Sequence, residues 1–350
     1  MTTGCRPAAA PPGADAPRVG AGYAACHHGE ILQGVFRDAH GHGRVAGLVT
    51  LPMPGLGTHA EFVRSPGAAP EELWVTPAGR TKALSAASLA VRECAARRRE
   101  AACGGRLRLS GDIPVGLGMG SSSSDVIAAV RAVADSFGLR LSPRTIARLA
   151  VRAEQASDPL MLDGRPMLFA QREGRVLEVL GDALPAAVVV GCAVGGGRPV
   201  DTLSLPAPDH DDEDVRAYER LRALLRRAVA EGDPALLGQV ATESARRAQQ
   251  RLGHDEFGPL TEIAARTGAV GVQIAHSGSV AGLLFDPAAR RLRRRLRCCA
   301  DALEDQGIPV TKIFTTFTTS EEFPHGRAHS GVDRPAGPRQ TGGRPAVPAL

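Results

Sequence analysis

Apolar positions along the 350-residue chain change period several times, and each change predicts an element. Residues 45–53 and 73–76 are apolar runs expected to be strands. Residues 81–99 are rich in alanine and arginine, both strong helix formers, and are expected to be helical. Residues 106–109 alternate polar and apolar, the mark of a half-buried strand. Val126, Val130, Val133 and Phe137 then recur at helical spacing, with Gly138 as the stop. Ser142-Pro143 reads as an N-cap followed by proline at the first helical position. It opens a helix carrying Ile146, Leu149 and Ala153.

Residues 176–180 are the next expected strand, and the valines of 186–192 predict a buried one. The acidic stretch 209–214 is expected to be a surface loop. Tyr218, Leu221, Leu225 and Ala228 form one helix stripe, and Asp233-Pro234 opens another helix. Strands are expected at 270–274 and 280–285, around a His-Ser-Gly turn, and last at 310–316. Strands and helices mix without strict alternation, so the predicted class is α+β rather than doubly wound α/β. No repeat at solenoid spacing is present. Residues 1–20, rich in Ala, Pro and Gly, are expected to be a disordered leader, and 323–350, with added Arg and His, a disordered tail. Between them, 21–185 and 186–322 are the expected domains, because Pro185 precedes a new buried strand.

Composition narrows the function class. The hydrophobic fraction is 43% and the charged fraction 23%, ordinary for a folded soluble chain and unlike a disordered one. No apolar run is long enough to cross a membrane, and the first residues lack the layout of a signal peptide. A cytoplasmic enzyme is the expectation. Lys and Arg exceed Asp and Glu by 42 to 37. Lysine occurs only at Lys82 and Lys312, so arginine carries nearly all the positive charge. With Ala, Gly and Pro abundant, this reads as compositional bias rather than a nucleic-acid face. Aromatics are 3% of the chain, too few for base-stacking platforms. The basic run 290–297 is expected to be a solvated helix face. The 7 cysteines include no CxxC pair, so buried reduced thiols are expected rather than disulfides or structural zinc.

The chemistry concentrates in residues 113–125, Ile-Pro-Val-Gly-Leu-Gly-Met-Gly-Ser-Ser-Ser-Ser-Asp. This segment joins a strand to a valine-periodic helix. Gly116, Gly118 and Gly120 let the backbone approach an anion closely. The helix start then offers free amides and the positive dipole end, a phosphate site by construction. The serines add hydroxyls for phosphate oxygens or Mg²⁺, and Asp125 falls in the first turn, where an acidic residue suits the dipole. No lysine is present, so this is not a Walker P-loop.

The same segment resembles the central motif of the GHMP kinases. Two further segments agree with that resemblance. Residues 271–279, Gly-Val-Gln-Ile-Ala-His-Ser-Gly-Ser, are similar to the third, glycine-rich motif of the family. Residues 26–34, Cys-His-His-Gly-Glu-Ile-Leu-Gln-Gly, depart from the common first motif and look more like the L-threonine kinase branch. The resemblance spans about residues 22–320. It implies an N-terminal domain of the ribosomal-protein-S5 domain 2 type, a ferredoxin-like C-terminal domain, and an active site between them. It also implies Mg²⁺ with ATP, and a small-molecule hydroxyl as acceptor, with no nucleic-acid or membrane partner.

Roles follow position by position from the resemblance. Pro114, Gly116, Leu117, Gly118, Met119, Gly120, Ser121, Ser122 and Ser123, with Gly278, are expected around the triphosphate. Ser122 and Glu154 match the metal-binding serine and glutamate, with a one-residue ambiguity in the serine run. Asp158 matches the catalytic aspartate, and Asp163 is its rival. Glu30, His28 and His276 are expected to border the substrate, with His27 beside them; a structural role for the histidine pair is the alternative. The expected acceptor is L-threonine or a similar amino acid. A sugar or isoprenoid alcohol kinase, or a non-catalytic binding protein on the same fold, is the competing reading.

Overall fold

Two sheets divide the chain. The computed structural model describes residues 19–38, 41, 43–113, 118–162, 165–197, 210–275 and 279–317. The first sheet begins with two long strands, β1 (Val19–Arg37) and β2 (Arg44–Ser65), paired antiparallel. It continues with β3 (Leu73–Thr76), β4 (Gly104–Gly111), β5 (Met167–Ala170) and β6 (Arg175–Val179), in the order β3-β4-β2-β5-β6, with β1 on β2. Three helices go with it: α1 (Thr81–Arg98), α2 (Ser121–Ser136) and α3 (Pro143–Glu154).

The second sheet is antiparallel, with β7 (Val188–Ala193), β8 (Gly271–Ile274), β9 (Val280–Phe285) and β10 (Val310–Thr315) in the order β10-β7-β9-β8. Its helices are α4 (Asp212–Glu231), α5 (Pro234–Leu252), α6 (Phe257–Thr267) and α7 (Leu292–Asp305). The fourth strand lies beside the first and the third beside the second, the ferredoxin-like arrangement. The expected α+β class and this expected topology are both present.

Helix ends follow their sequence signals. The Ser142 hydroxyl accepts from the Thr145 amide at 3.3 Å, and the Asp233 carboxylate accepts from the Ala235 amide at 2.7 Å, each just before a proline. Residues 211–214 of the acidic segment expected to be a loop are a helix start instead. Asp211 caps α4, and Asp212, Glu213 and Asp214 fill its first turn, where carboxylates face the positive dipole end. The basic run behaves as expected: Arg293, Arg294 and Arg297 face solvent on α7. Of the thiols, Cys26, Cys94, Cys103, Cys192 and Cys299 are buried and free, whereas Cys298 is exposed. No helix among the described residues is long and apolar enough to cross a membrane.

The sequence pattern did not predict β1. Its residues include Gly20, Gly22, Gly29 and Gly34, and lack clean alternation. The cause is close packing under α2. A Cβ on Gly20 would lie 2.1 Å from the Ala132 carbonyl oxygen, and one on Gly22 would lie 2.2 Å from that of Ala128. The alanine-rich face of α2 and glycines of β1 bring the two backbones together. Val19 and Gly20 are therefore strand, not leader. Farther along, Ile31, Leu32 and Phe36 of β1 share one buried cluster with Val189 of β7, Tyr218 of α4 and Leu284 of β9. This single strand thus packs against both sheets. The change of sheet falls between Val179 and Val188, and we propose it as the domain boundary, in keeping with the expected division at 185/186.

Gly22→Ala should lower the unfolding free energy by about 1–3 kcal/mol through overpacking. Gly258→Ala, where a Cβ meets nothing within 4 Å, should stay within about 0.5 kcal/mol of the parent. Urea denaturation of the two variants checks both.

Candidate functional site

The strand β1 is irregular where its sequence is most polar. Register against β2 shifts between Ala25 and Cys26, again between His27 and Glu30, and again between Glu30 and Leu32. Gly29 supplies the left-handed conformation, with φ at 69°. In a regular strand, His27 and Glu30 would point to opposite faces. The bulge re-aims them. Ligand-type atoms of His27, Glu30 and Asp158 all lie within 4.8 Å of one another, and His27 and Glu30 are buried.

His27 is the centre of this group. Its Nδ1 lies 3.1 Å from the Gly29 carbonyl oxygen, which can only accept, so Nδ1 carries a proton. Its Nε2 lies 3.0 Å from Asp158 Oδ2, an ion-pair contact rather than an aligned hydrogen bond. Burial opposes a charge on this ring. The Asp158 charge and close contact, with Glu30 and the Gly29 carbonyl, outweigh it and hold the imidazole pKa at about 9. Asp158 is held below the usual carboxylate range: burial opposes its ionisation, but the His27 charge and contact prevail, aided by Ser123.

The start of α2 sits on this pair. Gly118 and Gly120 both have positive φ, and Gly120 precedes the helix with no side-chain cap. A Cβ on Gly120 would lie 2.4 Å from His27 Cδ2, so only glycine fits. The His27 amide donates to the Met119 carbonyl at 3.3 Å, tying the glycine segment to β1. Beyond Gly120, Ser122 donates to Glu154 Oε2 at 2.8 Å and Ser123 to Glu154 Oε1 at 2.9 Å. The Asp158 amide donates to the Ser123 hydroxyl at 3.1 Å. Glu154 ends α3, which Gln155 closes in the left-handed conformation. Burial first, countered by the serine hydrogen bonds and reinforced by the Asp158 charge, pushes the Glu154 carboxyl up to about 7. Ser124 turns inward, donating to the Ala24 carbonyl and accepting from the Thr58 amide.

The sequence expectations divide accordingly. Met119, Gly120, Asp158 and Glu30 gather at His27, and Ser122, Ser123 and Glu154 join them through the Ser123–Asp158 contact, with Gly118 two residues before Gly120. Ser121 instead helps line a cavity of about 90 Å³ with Thr58, Pro77 and Arg80. His28 departs from the group: neighbouring residues on a strand face opposite ways, and its Nδ1 meets Gln273 Oε1 at 3.2 Å while its ring packs on Phe314. Burial pulls its pKa down to about 4, keeping it neutral. That is the structural role weighed as the alternative for the pair. Asp125 also differs from its expected dipole role. It is the fifth residue of α2 and instead pairs with Arg80 at 3.0 Å and accepts from the Thr58 hydroxyl at 2.7 Å. Pro114, Gly116, Leu117, Asp163, His276 and Gly278 lie outside the described residues. Sequence reasoning missed His27 as the partner of Asp158, although the adjacent His-His pair flagged the place.

Beside His27 opens a cavity of about 380 Å³, bounded by β1, β2, the turn after Asp158 and the residues just past β10, Thr316 and Phe317. The donor set near it is hydroxyl and carboxylate oxygen, which suits a hard cation such as Mg²⁺. A glycine-bounded helix start, a serine–glutamate pair and an ionised aspartate thus meet at one place.

Comparison with known proteins agrees. Residues 83–161 match the GHMP kinases N terminal domain, and residues 222–301 the GHMP kinases C terminal domain. The chain thus carries both the N-terminal and the C-terminal GHMP kinase family domains, in that order. An L-threonine kinase of Citrobacter freundii is 28% identical over 182 residues, covering 52% of this chain and 62% of that protein. One of Salmonella typhimurium is 29% identical over 195 residues, covering 52% and 60%. The matches thus span about three fifths of the length of these relatives. The homoserine kinase structure of Cytophaga hutchinsonii has the same fold, with a TM-score of 0.59 at 15% identity over 85% of this chain and 94% of that one.

The ion pair makes a pH prediction. The folded His27 pKa is raised from 6.5 to about 9, so its contribution is complete below the unfolded value and is lost as pH rises through about 9. The folded Asp158 pKa is depressed below 3.8, so its contribution holds above that value and is lost as pH falls through the folded pKa. His27→Gln should cost about 3 kcal/mol at pH 6.5 by stranding a carboxylate. The difference between the parent and variant urea-unfolding curves should then shrink from pH 6.5 to 9. A difference that stays constant over that range would exclude the charged pair.

Proposed function

We propose that this protein is an ATP- and Mg²⁺-dependent kinase that phosphorylates the hydroxyl of a small molecule, with L-threonine the first candidate acceptor. The observation that carries this reading is the Ser122–Glu154 pair at 2.8 Å, beside an ionised Asp158 at the open start of α2. The matches to both GHMP kinase family domains and the L-threonine kinase relatives support it.

Phosphoryl transfer is mostly positioning and charge neutralisation. The first-turn amides of α2, left without carbonyl partners by helix geometry, are suited to the phosphate oxygens. Ser122 and Glu154 would hold Mg²⁺, which would neutralise charge on the transferring phosphoryl group. A carboxyl with a pKa of about 7 without a cation has much to gain from one. The acceptor enters from the 380 Å³ cavity, and its hydroxyl hydrogen-bonds to Asp158. As the hydroxyl oxygen bonds to the γ-phosphorus and the bond to ADP breaks, the hydroxyl proton passes to Asp158. A carboxylate paired with imidazolium is a weak base. It suits a loose transition state, in which the oxygen keeps its proton until late. His27 positions that carboxylate and holds it ionised.

Mg-ATP with L-threonine, L-serine, homoserine, mevalonate or galactose tests the reading, with ADP release and ³¹P NMR as readouts. A phosphomonoester should form with a hydroxylated amino acid. Asp158→Asn should lower kcat by about 10²-fold or more, and Ser122→Ala should raise the Mg²⁺ requirement. ATP that fails to bind would overturn the assignment.

A further inference from the structure

The acceptor cavity has an asymmetric lining. Its inner end is walled by His27 and by Pro159, the residue after Asp158. Its sides are apolar, built by Met53, Pro54, Met167, Leu184 and Phe317. Two arginines line it as well. Arg131, from the middle of α2, is committed to the wall: its guanidinium donates to the Tyr23 carbonyl at 2.7 Å and to the Met161 carbonyl at 3.3 Å. Arg165 is exposed, and among the described residues its guanidinium has no ion-pair or hydrogen-bond partner. Among the described residues that line the cavity, none is an aspartate or glutamate.

This combination discriminates between acceptors. A free guanidinium at the cavity wall offers paired donors to a carboxylate. A free ammonium would enter a space lined by two arginines, and the carboxylate at its end, Asp158, is already paired with His27, so it gains little there. Apolar walls stabilise methylene groups taken out of water. Resting on the kinase reading above, the geometry points to an acceptor selected as a hydroxy acid: Arg165 binds its carboxylate, the walls take an apolar body, and the ammonium of an amino acid is not recognised. Arg165 is then a specificity-determining residue, remote from the transferred phosphoryl group.

Binding separates this proposal from the kinase reading, because it needs no turnover. Calorimetric titration would compare L-threonine with hydroxybutanoate, hydroxyhexanoate and hydroxyoctanoate, each with the hydroxyl on the third carbon, and with their methyl esters. Hydroxybutanoate should bind within about threefold of L-threonine. Each added methylene should tighten binding by up to about fourfold. The acids should bind about tenfold better than their esters, and Arg165→Gln should abolish that preference while leaving the methylene increment and the ATP affinity unchanged. Arg165→Lys should restore part of it. Tighter binding of L-threonine by tenfold or more, no gain with chain length, or an acid preference that survives Arg165→Gln would overturn the proposal, as would no binding by any acid. Acids that bind as expected but are never phosphorylated would overturn the kinase reading alone.

Discussion

A buried imidazole facing a carboxylate organises this molecule. His27 is 1% exposed, and a charge there is costly unless it is paired. Asp158 supplies the pairing, and the Gly29 carbonyl takes the second ring proton. Three stretches far apart in sequence must therefore meet: the bulge of β1, the glycine before α2 and the turn after α3. Removing either charge would leave the other uncompensated, which is why such pairs constrain geometry more than they add stability. Gly120 closes the arrangement, since any side chain there would enter the space of the ring.

The same arrangement sets two carboxylates in opposite states four residues apart. Glu154 accepts from neutral hydroxyls and is buried, so its pKa rises. Asp158 faces a cation, so its pKa falls. Divergent environments for neighbouring acids are how one site separates roles. A carboxyl that ionises reluctantly is completed by a cation. A carboxylate that stays ionised can orient a hydroxyl without consuming a proton at rest. The serine run links the two, because Ser123 both donates to Glu154 and accepts from the Asp158 amide. A shift of one residue in the serines would break this bridge.

What the amino-acid sequence made legible depended on whether a local rule governed the segment. The stripes of α2, α3 and α4 were readable because each buries one face at helical period. Ser142 and Asp233 announced helix starts because capping is a contact within four residues. The glycine-serine segment was readable as a helix start because that signal is also local. β1 was not, because its glycines answer to the backbone of α2, about a hundred residues away. Nor was the facing of His27 and His28 readable, since the bulge at Gly29 decides it. Arg165 carried no signal at all: in a chain whose positive charge is nearly all arginine, one more guanidinium is indistinguishable until its lack of partners is seen.

The packing of β1 also bears on how the two units cooperate. Its first half lies under α2, and its second half shares a buried cluster with β7, β9 and α4. The bulge falls between these halves. Burial on both sides leaves little freedom for the strand to slide, since a one-residue slip would bury the wrong face. His27 and His28 then serve the two sides separately, one turned to the Asp158 turn and the other to Gln273 of β8. Strand β8 runs on toward the glycine-containing segment that follows Ala275. Through adjacent residues of one strand, the position of the aspartate and the position of the second sheet are set together. The kinase proposed above gains from this, because catalysis by positioning fails if either wall moves by an ångström.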